Sequence, residues 1–430
     1  MSVETGSLSP RNRYSLSGYY FFSFASLGFV SAFLPLFLKS RGLTLTQIGA
    51  LSAIHALAGA GTQIPLGMLS DRLGRRKPMV IIGAILLGSI YLFFNRTTTF
   101  AGFCALYFVC GVIFLTIATL TNALISDWTA GTRNTGRSFG NIRMWGSLGF
   151  ISTLAIISVM PGLAHGRNLL PAITVLFWIS GLAISPAIES ERHVHQPQPL
   201  FGAVPSLLKN TNLSLFLVTF FLFRICESGG IGFLSIYMRS MHASNSLIAL
   251  VFATSAVIEI PFMVWVGGAS DRIGRRPPLV IAFLAMPVRL FLYSLISRPE
   301  EVFFVQLFHG LTFAFMLVSS LAFVADLCPG ELRATGQGLL SMTAGIAMAL
   351  GPFLGGWLAD RTSIGMMYVA LTGVAAVSGL IFILFVHESH PDLSPERLRD
   401  RVSARHRLLR PVIHMLSKPL IAAKPQSLPE

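Results

Sequence analysis

One short stretch constrains this chain more than any other: residues 67–77 read GMLSDRLGRRK, and residues 267–277 return to it as GGASDRIGRRP. Each copy ends one long apolar run and precedes another. Asp127 and Asp326 close later apolar runs at matching places, and Arg133-Asn134-Thr135-Gly136 is echoed by Arg333-Ala334-Thr335-Gly336. A polar turn that recurs at the same point of two long apolar series marks two copies of one structural unit.

Composition says what solvent that unit needs. Over 430 residues, 53% are hydrophobic, 12% are charged and the mean hydropathy is +0.69. A soluble domain of this length cannot bury so much apolar surface. A membrane span needs roughly 20 mostly apolar residues, and twelve runs qualify: 16–38, 47–69, 78–95, 100–126, 142–161, 169–188, 213–238, 246–269, 278–296, 302–327, 335–358 and 365–386. The expected architecture is an all-α membrane protein of twelve transmembrane helices in two pseudo-symmetric six-helix bundles. Its divisions are an N-terminal segment (1–15), a first bundle (16–188), a polar, proline-containing linker (189–212), a second bundle (213–386) and a basic tail (387–430). Residues 394–410 of the tail read equally as a basic amphipathic helix or as a disordered arm.

The charge balance sets orientation. Of the 32 Lys and Arg, 23 fall on the side of the two termini, seven on the opposite side and two inside spans. Both termini are therefore expected in the cytoplasm. The net charge of +14 would suit a nucleic-acid binder only if the basic residues shared a water-facing surface, and here they lie in loops and tail. No nucleic-acid partner is expected. Cys104, Cys110, Cys226 and Cys328 lie in or at the ends of apolar runs without metal-ligand spacing, so neither a disulfide framework nor a metal site is expected. The first run lacks a small-residue cleavage site and reads as a span, not as a removable signal.

The doubled G-x-x-x-D-R-x-G-R-R turn resembles the signature loop of the major facilitator superfamily of secondary transporters. The resemblance implies that fold, and it implies that the loops act as cytoplasmic latches. The residues concerned are Gly67, Asp71, Arg72, Gly74, Arg75 and Arg76 with Asp127, and Gly267, Asp271, Arg272, Gly274, Arg275 and Arg276 with Asp326. The chemistry is reasonable. Gly67 and Gly267 permit close helix contact, the two aspartates can approach a helix N-terminus, and arginines in the turn can reach Asp127 and Asp326. Such clusters would hold one state and break in the other; the plainer alternative is that they only set topology.

An ionisable residue at mid-span costs roughly 2.5 to 3.5 kcal/mol on insertion scales and usually faces a cavity. This chain has few. Glu259, Arg289 and His309 lie on the eighth, ninth and tenth spans, Arg224 and Glu227 sit three apart on the seventh, and Arg143 opens the fifth. Their surroundings, FGNIRMWGSLGF, VIEIP, PVRL and LFHGLTF, are similar to the branch holding lactose permease, the nucleoside permeases and the phenylpropionate permease. That resemblance implies a proton and a solute sharing a central cavity. Arg143 then matches a substrate-contacting arginine, Glu259 the central carboxylate, and Arg289 with His309 its partners in proton coupling. Asn122, Phe150 and Thr312 stand where lactose permease has a carboxylate, a stacking tryptophan and a proton-carrying carboxylate, so neither a galactoside site nor that proton route carries over intact.

On physical grounds Glu259 is the expected proton carrier, with Glu227 next: burial favours the neutral carboxyl, a guanidinium the ionised one, and motion between them can load and unload a proton. The alternative is a permanently satisfied network that fixes helix positions. Arg224 and Glu227 equally suit a local ion pair. The expected function is import of a small organic solute by alternating access, as a proton symporter in the plasma membrane (the inner membrane of a bacterium). No cofactor is expected: no nucleotide-binding loop is present, and the proton gradient would supply the energy. A monomer is implied by the resemblance. Two alternatives remain: proton-coupled efflux of a hydrophobic compound, and a non-transporting receptor or scaffold. Nothing suggests an enzyme, since no nucleophile with a base partner is visible.

Overall fold

The computed structural model describes residues 10–73, 76–129, 135–187 and 204–390, with the side chains of residues 64, 67–69, 71–73, 126–129 and 135–140 outside the description. The first half holds six helices: α1 (Pro10–Ser40), α2 (Leu45–Leu73), α3 (Arg76–Phe93), α4 (Phe100–Thr129), α5 (Thr135–Val159) and α6 (Gly166–Ile184). The second half begins with a short helix, α7 (Val204–Leu208). It continues with α8 (Thr211–Gly232), α9 (Leu234–Ser240), α10 (Asn245–Ile273), α11 (Arg276–Leu295), α12 (Glu301–Val305), α13 (Phe315–Leu327), α14 (Arg333–Arg361) and α15 (Ile364–Phe385). Among the described residues eleven helical segments are long and apolar enough to cross a membrane; α2, 29 residues long, is not one of the eleven but packs between α4 and α14. The protein is an integral multi-pass membrane protein. Its outward faces agree: Val264 is 77% exposed and Leu380 58%, surface that only lipid can cover.

Local signals in the sequence start the helices. Asn210 accepts hydrogen bonds from the backbone of Asn212 and Leu213 at the head of α8, Ser244 from Leu247 at α10, and Ser363 from Met366 at α15. At α2 Thr44 and Gln47 bond each other's backbone in a reciprocal capping box.

Three details differ from the sequence-based expectation. The seventh span is two helices, interrupted at Phe233 after Gly229, Gly230 and Gly232, residues that weaken a helix. The tenth span is broken after α12, and Gly310–Ala314 then forms a π-helical turn leading into α13. The last part of the expected linker is helical, as α7. Residues 188–203 of the linker and 391–430 of the tail lie outside the described residues.

Within each half the packing repeats. In the first, α1 lies on α5 and α6, α2 on α4, and α3 on α6; in the second, α8 lies on α14 and α15, α10 on α13, and α11 on α15. Glycines permit the closest approaches. Gly149 of α5 sits against the backbone of Phe21, Gly111 of α4 against that of His55, and Gly351 of α14 against Ser228 and the α8 backbone, so a Cβ at any of them would collide. Closely packed rings fill the second core, with Phe283 and Phe382 stacked at 4.3 Å between centroids and Phe216 and Phe323 tilted at 4.5 Å.

The two halves meet through α2 against α14 and α10 against α5, and the repeat exchanges one pair for the other. At the end remote from the repeated loops both pairs are joined by hydrogen bonds. Asp360 of α14 accepts from the first turn of α2, and the Asn245 side-chain amide at the head of α10 donates to the carbonyl of Pro161, in the turn that follows α5, at 3.2 Å.

Candidate functional site

A cavity of about 150 Å³ opens within the first half, between α1, α3, α4, α5 and α6. Its wall is aromatic, with Tyr19, Tyr20 and Phe24 from α1, Phe114 from α4 and Phe177 from α6; Ser23, Thr121, Asn122 and Arg143 supply the polar groups. The Tyr20 hydroxyl donates to Asn122 Oδ1 at 3.1 Å. The Arg143 guanidinium lies over the Phe24 ring, 4.1 Å from its centroid, and 6.0 Å from that of Tyr20. Arg143 is thus held chiefly by π faces. Rings at i and i+4 of α1, Tyr20 and Phe24, are stacked 6.0 Å apart, as helical spacing dictates.

Facing this wall, the second half brings the charged residues. Glu259 of α10 lies 3.9 Å from His309 Nε2 and is within electrostatic reach of Arg143 across the interface and of Glu227 on α8. The His309 ring stacks on Phe313, and its Nδ1 is buried without a hydrogen-bond partner. Arg224 and Glu227 form the local ion pair that their spacing allows.

Arg289 is the main departure from expectation, because it does not pair with Glu259. It is buried, 4% exposed, and its guanidinium donates to Thr312 Oγ1 at 2.9 Å, to Gln306 Oε1 at 2.8 Å and to the Tyr293 hydroxyl at 3.2 and 3.3 Å. Tyr293 in turn donates to Gln306 Oε1 at 3.0 Å. The break between α12 and the π-helical turn lets Gln306 and Thr312 reach the same guanidinium, which is the physical reason for the irregular tenth span. Arg289 and Glu227 border a common small void of about 10 Å³.

Of the sequence-based cavity residues, Asn122 and Arg143 line the large cavity. Phe150 is not among its lining residues; Phe24 supplies the ring beside Arg143. Thr312 and Arg224 belong to the second half's network. Sequence reasoning missed Tyr19, Tyr20, Phe24, Tyr293 and Gln306. A search for charges passes over neutral polar groups, but Tyr293 lies one turn beyond Arg289, and Gln306 is a lone amide in an apolar run.

The second repeated loop closes within its own half. Arg275 pairs with Asp271 and, from Nε at 3.0 Å, with Asp326. Gly274 adopts φ 101°, and a Cβ there would strike the Glu388 carboxylate, so the glycine answers to both backbone and space. That carboxylate, unforeseen in the sequence, accepts the backbone N–H groups of Arg275 and Arg276 at 2.9 and 3.0 Å and caps α11. Arg276 donates to the carbonyls of Ile383 and Val386 at the end of α15; in the first half Lys77 does the same to Ser185 and Ala187 after α6. Because every partner among the described residues lies in one half, movement of the halves against each other need not break this cluster. Gly267 is not at a close contact, since a Cβ there would meet nothing within 4 Å. Arg272 is exposed at the end of α10, and Arg76 opens α3. Gly67, Asp71, Arg72, Gly74, Arg75 and Asp127 lie outside the described residues or side chains. Among the described residues, no cluster of His, Cys, Asp and Glu could hold a metal ion.

Residues 13–370 match the MFS_1 like family. Among curated proteins the chain is similar to the uncharacterized transporter YwbF of Bacillus subtilis (strain 168), 24% identical with 88% of this chain and 94% of YwbF covered. It is also similar to the maltose permease of Geobacillus stearothermophilus, 25% identical with 85% and 92% covered. Among solved structures it resembles the nucleoside transporter NupG, with a TM-score of 0.75 at 19% identity, covering 86% of this chain and 98% of NupG.

Proposed function

We propose, from the premise that this chain belongs to the MFS_1 like family, that it is a proton-coupled symporter importing a small polar solute that carries a ring, a nucleoside or sugar before others. The coarser statement needs no proposal: the protein is a membrane transporter of the major facilitator type and not an enzyme. The finer reading rests on one observation, the position of Glu259 between His309 of its own half and Arg143 of the other.

In this reading the solute enters against the aromatic wall, stacks on Tyr20 and Phe24, and takes hydrogen bonds from Arg143 and Asn122. Ionised Glu259 attracts Arg143 and competes with the solute for it. A proton taken up by Glu259 removes that competition, so proton and solute load together. Rocking of the halves about the α2–α14 and α10–α5 contacts exposes the cavity to the other side, where both leave. No bond is made or broken in the solute. The excess of Lys and Arg on the side of the repeated loops favours placing that side, and both termini, in the cytoplasm. The pathway lies within one chain, which favours a monomer.

The test is solute uptake by proteoliposomes under an imposed proton gradient, with labelled uridine, maltose and 3-phenylpropionate. Wild type should accumulate one of them above its equilibrium level, and a protonophore should abolish the accumulation. Glu259→Gln should exchange the solute without accumulating it. Undiminished, pH-dependent accumulation by this variant would overturn the assignment to Glu259. Flux seen only for hydrophobic toxic compounds would replace import by efflux, and no flux at all would favour a non-transporting role.

A further inference from the structure

The sequence contains a third G-x-x-x-D-R, at Gly356-Trp357-Leu358-Ala359-Asp360-Arg361, where α14 ends. The other two copies end α2 and α10 at the repeated loops. This one lies at the opposite end of the molecule, beside Leu45 at the start of α2. Since α2 has 29 residues, the two ends are separated by about 40 Å.

Asp360 stands in an unfavourable place for its own helix. The C-terminal end of a helix carries partial negative charge and repels a carboxylate. Its contacts explain it. Oδ1 accepts the N–H of Leu45 at 3.0 Å, and Oδ2 accepts both the N–H and the hydroxyl of Thr46 at 2.7 Å. These N–H groups open α2, in the other half, where a helix has unsatisfied donors and partial positive charge. The neighbouring Thr44–Gln47 capping box covers the rest of that terminus from within its own half. Arg361 does not neutralise the carboxylate; its guanidinium lies 4.2 Å over the Trp357 ring. Two glycines bring the backbones together at this crossing, Gly356 against Leu45 and Gly49 against Pro352.

We propose that Asp360 is a gating residue of the transport cycle, a carboxylate latch that holds the two halves closed at the end remote from the repeated loops by capping the N-terminus of α2. The proposal rests on alternating access, and not on the identity of the solute or the role of Glu259. Opening this end takes Leu45 and Thr46 away from Asp360 and gives their N–H groups to water. By the pseudo-symmetry of the halves, the same movement parts α10 from α5 and breaks the Asn245–Pro161 contact.

Hydrogen–deuterium exchange of the purified full chain tests this without any solute, so its failure is distinct from failure of the symport reading. Asp360→Asn keeps the shape and loses the charge. Exchange in the first turn of α2 should rise about tenfold, and exchange at residues 245–250 of α10 should rise with it, while amides of α11 stay protected. Asp360→Glu should restore much of the protection. A rise confined to the first turn of α2 would reduce Asp360 to a local cap and overturn the proposal, as would no rise at all. If Asp360→Asn unfolds, Thr46→Val, which removes only the hydroxyl bond, should give a smaller rise at both places; a rise at one place only would again overturn it.

Discussion

The two walls of the interior each contain a buried or half-buried arginine, and they treat it in opposite ways. Arg143 rests on the faces of Phe24 and Tyr20, contacts that leave its N–H groups available to a guest. Arg289 is enclosed, its guanidinium spread over Thr312, Gln306 and Tyr293. A cation committed to hydrogen bonds inside one bundle builds that bundle, and a cation parked on rings can change partners at small cost. Residue type alone does not separate a structural arginine from a working one; the geometry of its donors does.

The contrast can be broken most forcefully at Arg289. Replacing it by Met leaves Tyr293, Gln306 and Thr312 buried with their shared donor gone, and unsatisfied buried groups of this kind cost about 3 kcal/mol together. The expected result is a clear fall in the apparent unfolding temperature in detergent; an unchanged temperature would mean that the network does not stabilise the second half.

Arg143→Ala should behave conversely. Solute affinity, read by equilibrium binding to the purified protein, should fall about tenfold, equivalent to about 1.4 kcal/mol. Unfolding should move little, because removing a cation from ring faces strands no hydrogen-bonded partner. Arg143→Lys should not restore the affinity, since an ammonium lacks the planar fork. A large loss of stability in Arg143→Ala would erase the distinction between the walls.

A paired comparison of the tyrosines gives the smallest effects and the sharpest test. Tyr20→Phe removes the hydroxyl that bonds Asn122 and should weaken solute binding severalfold, about 1 kcal/mol, with unfolding unaffected. Tyr293→Phe removes a hydroxyl that both accepts from Arg289 and donates to Gln306, so its loss should lower the unfolding temperature first. Reversal of the two outcomes would exchange the roles assigned to the walls.

Much of this was legible in the chain. Hydropathy alone placed the spans, because a bilayer demands long apolar helices whatever their neighbours; the boundaries of α3, α11 and α15 fall within a few residues of the runs. The Arg275–Asp326 contact also follows from the repeat. What escaped detection depends on partners far apart in sequence. Glu388 caps α11 from beyond α15, and the break in the tenth span exists because Gln306 and Thr312 must both meet Arg289 of α11. Tyr20 and Phe24 carry no charge to mark them in the sequence, and they line a cavity only once α4 and α5 lie beside α1.

The sequence by itself determined the membrane setting, the doubled six-helix plan and the set of intramembrane charges, since hydropathy, repetition and the cost of burying an ion are properties of the chain read along its length. Only the tertiary structure decided which charge meets which group: Arg289 with neutral partners, Glu259 beside His309 and within electrostatic reach of Arg143, Asp360 with a helix of the other half. A guanidinium or carboxylate is satisfied by whatever lies within about 3 Å in the proper direction, and that neighbourhood exists only after the helices have packed.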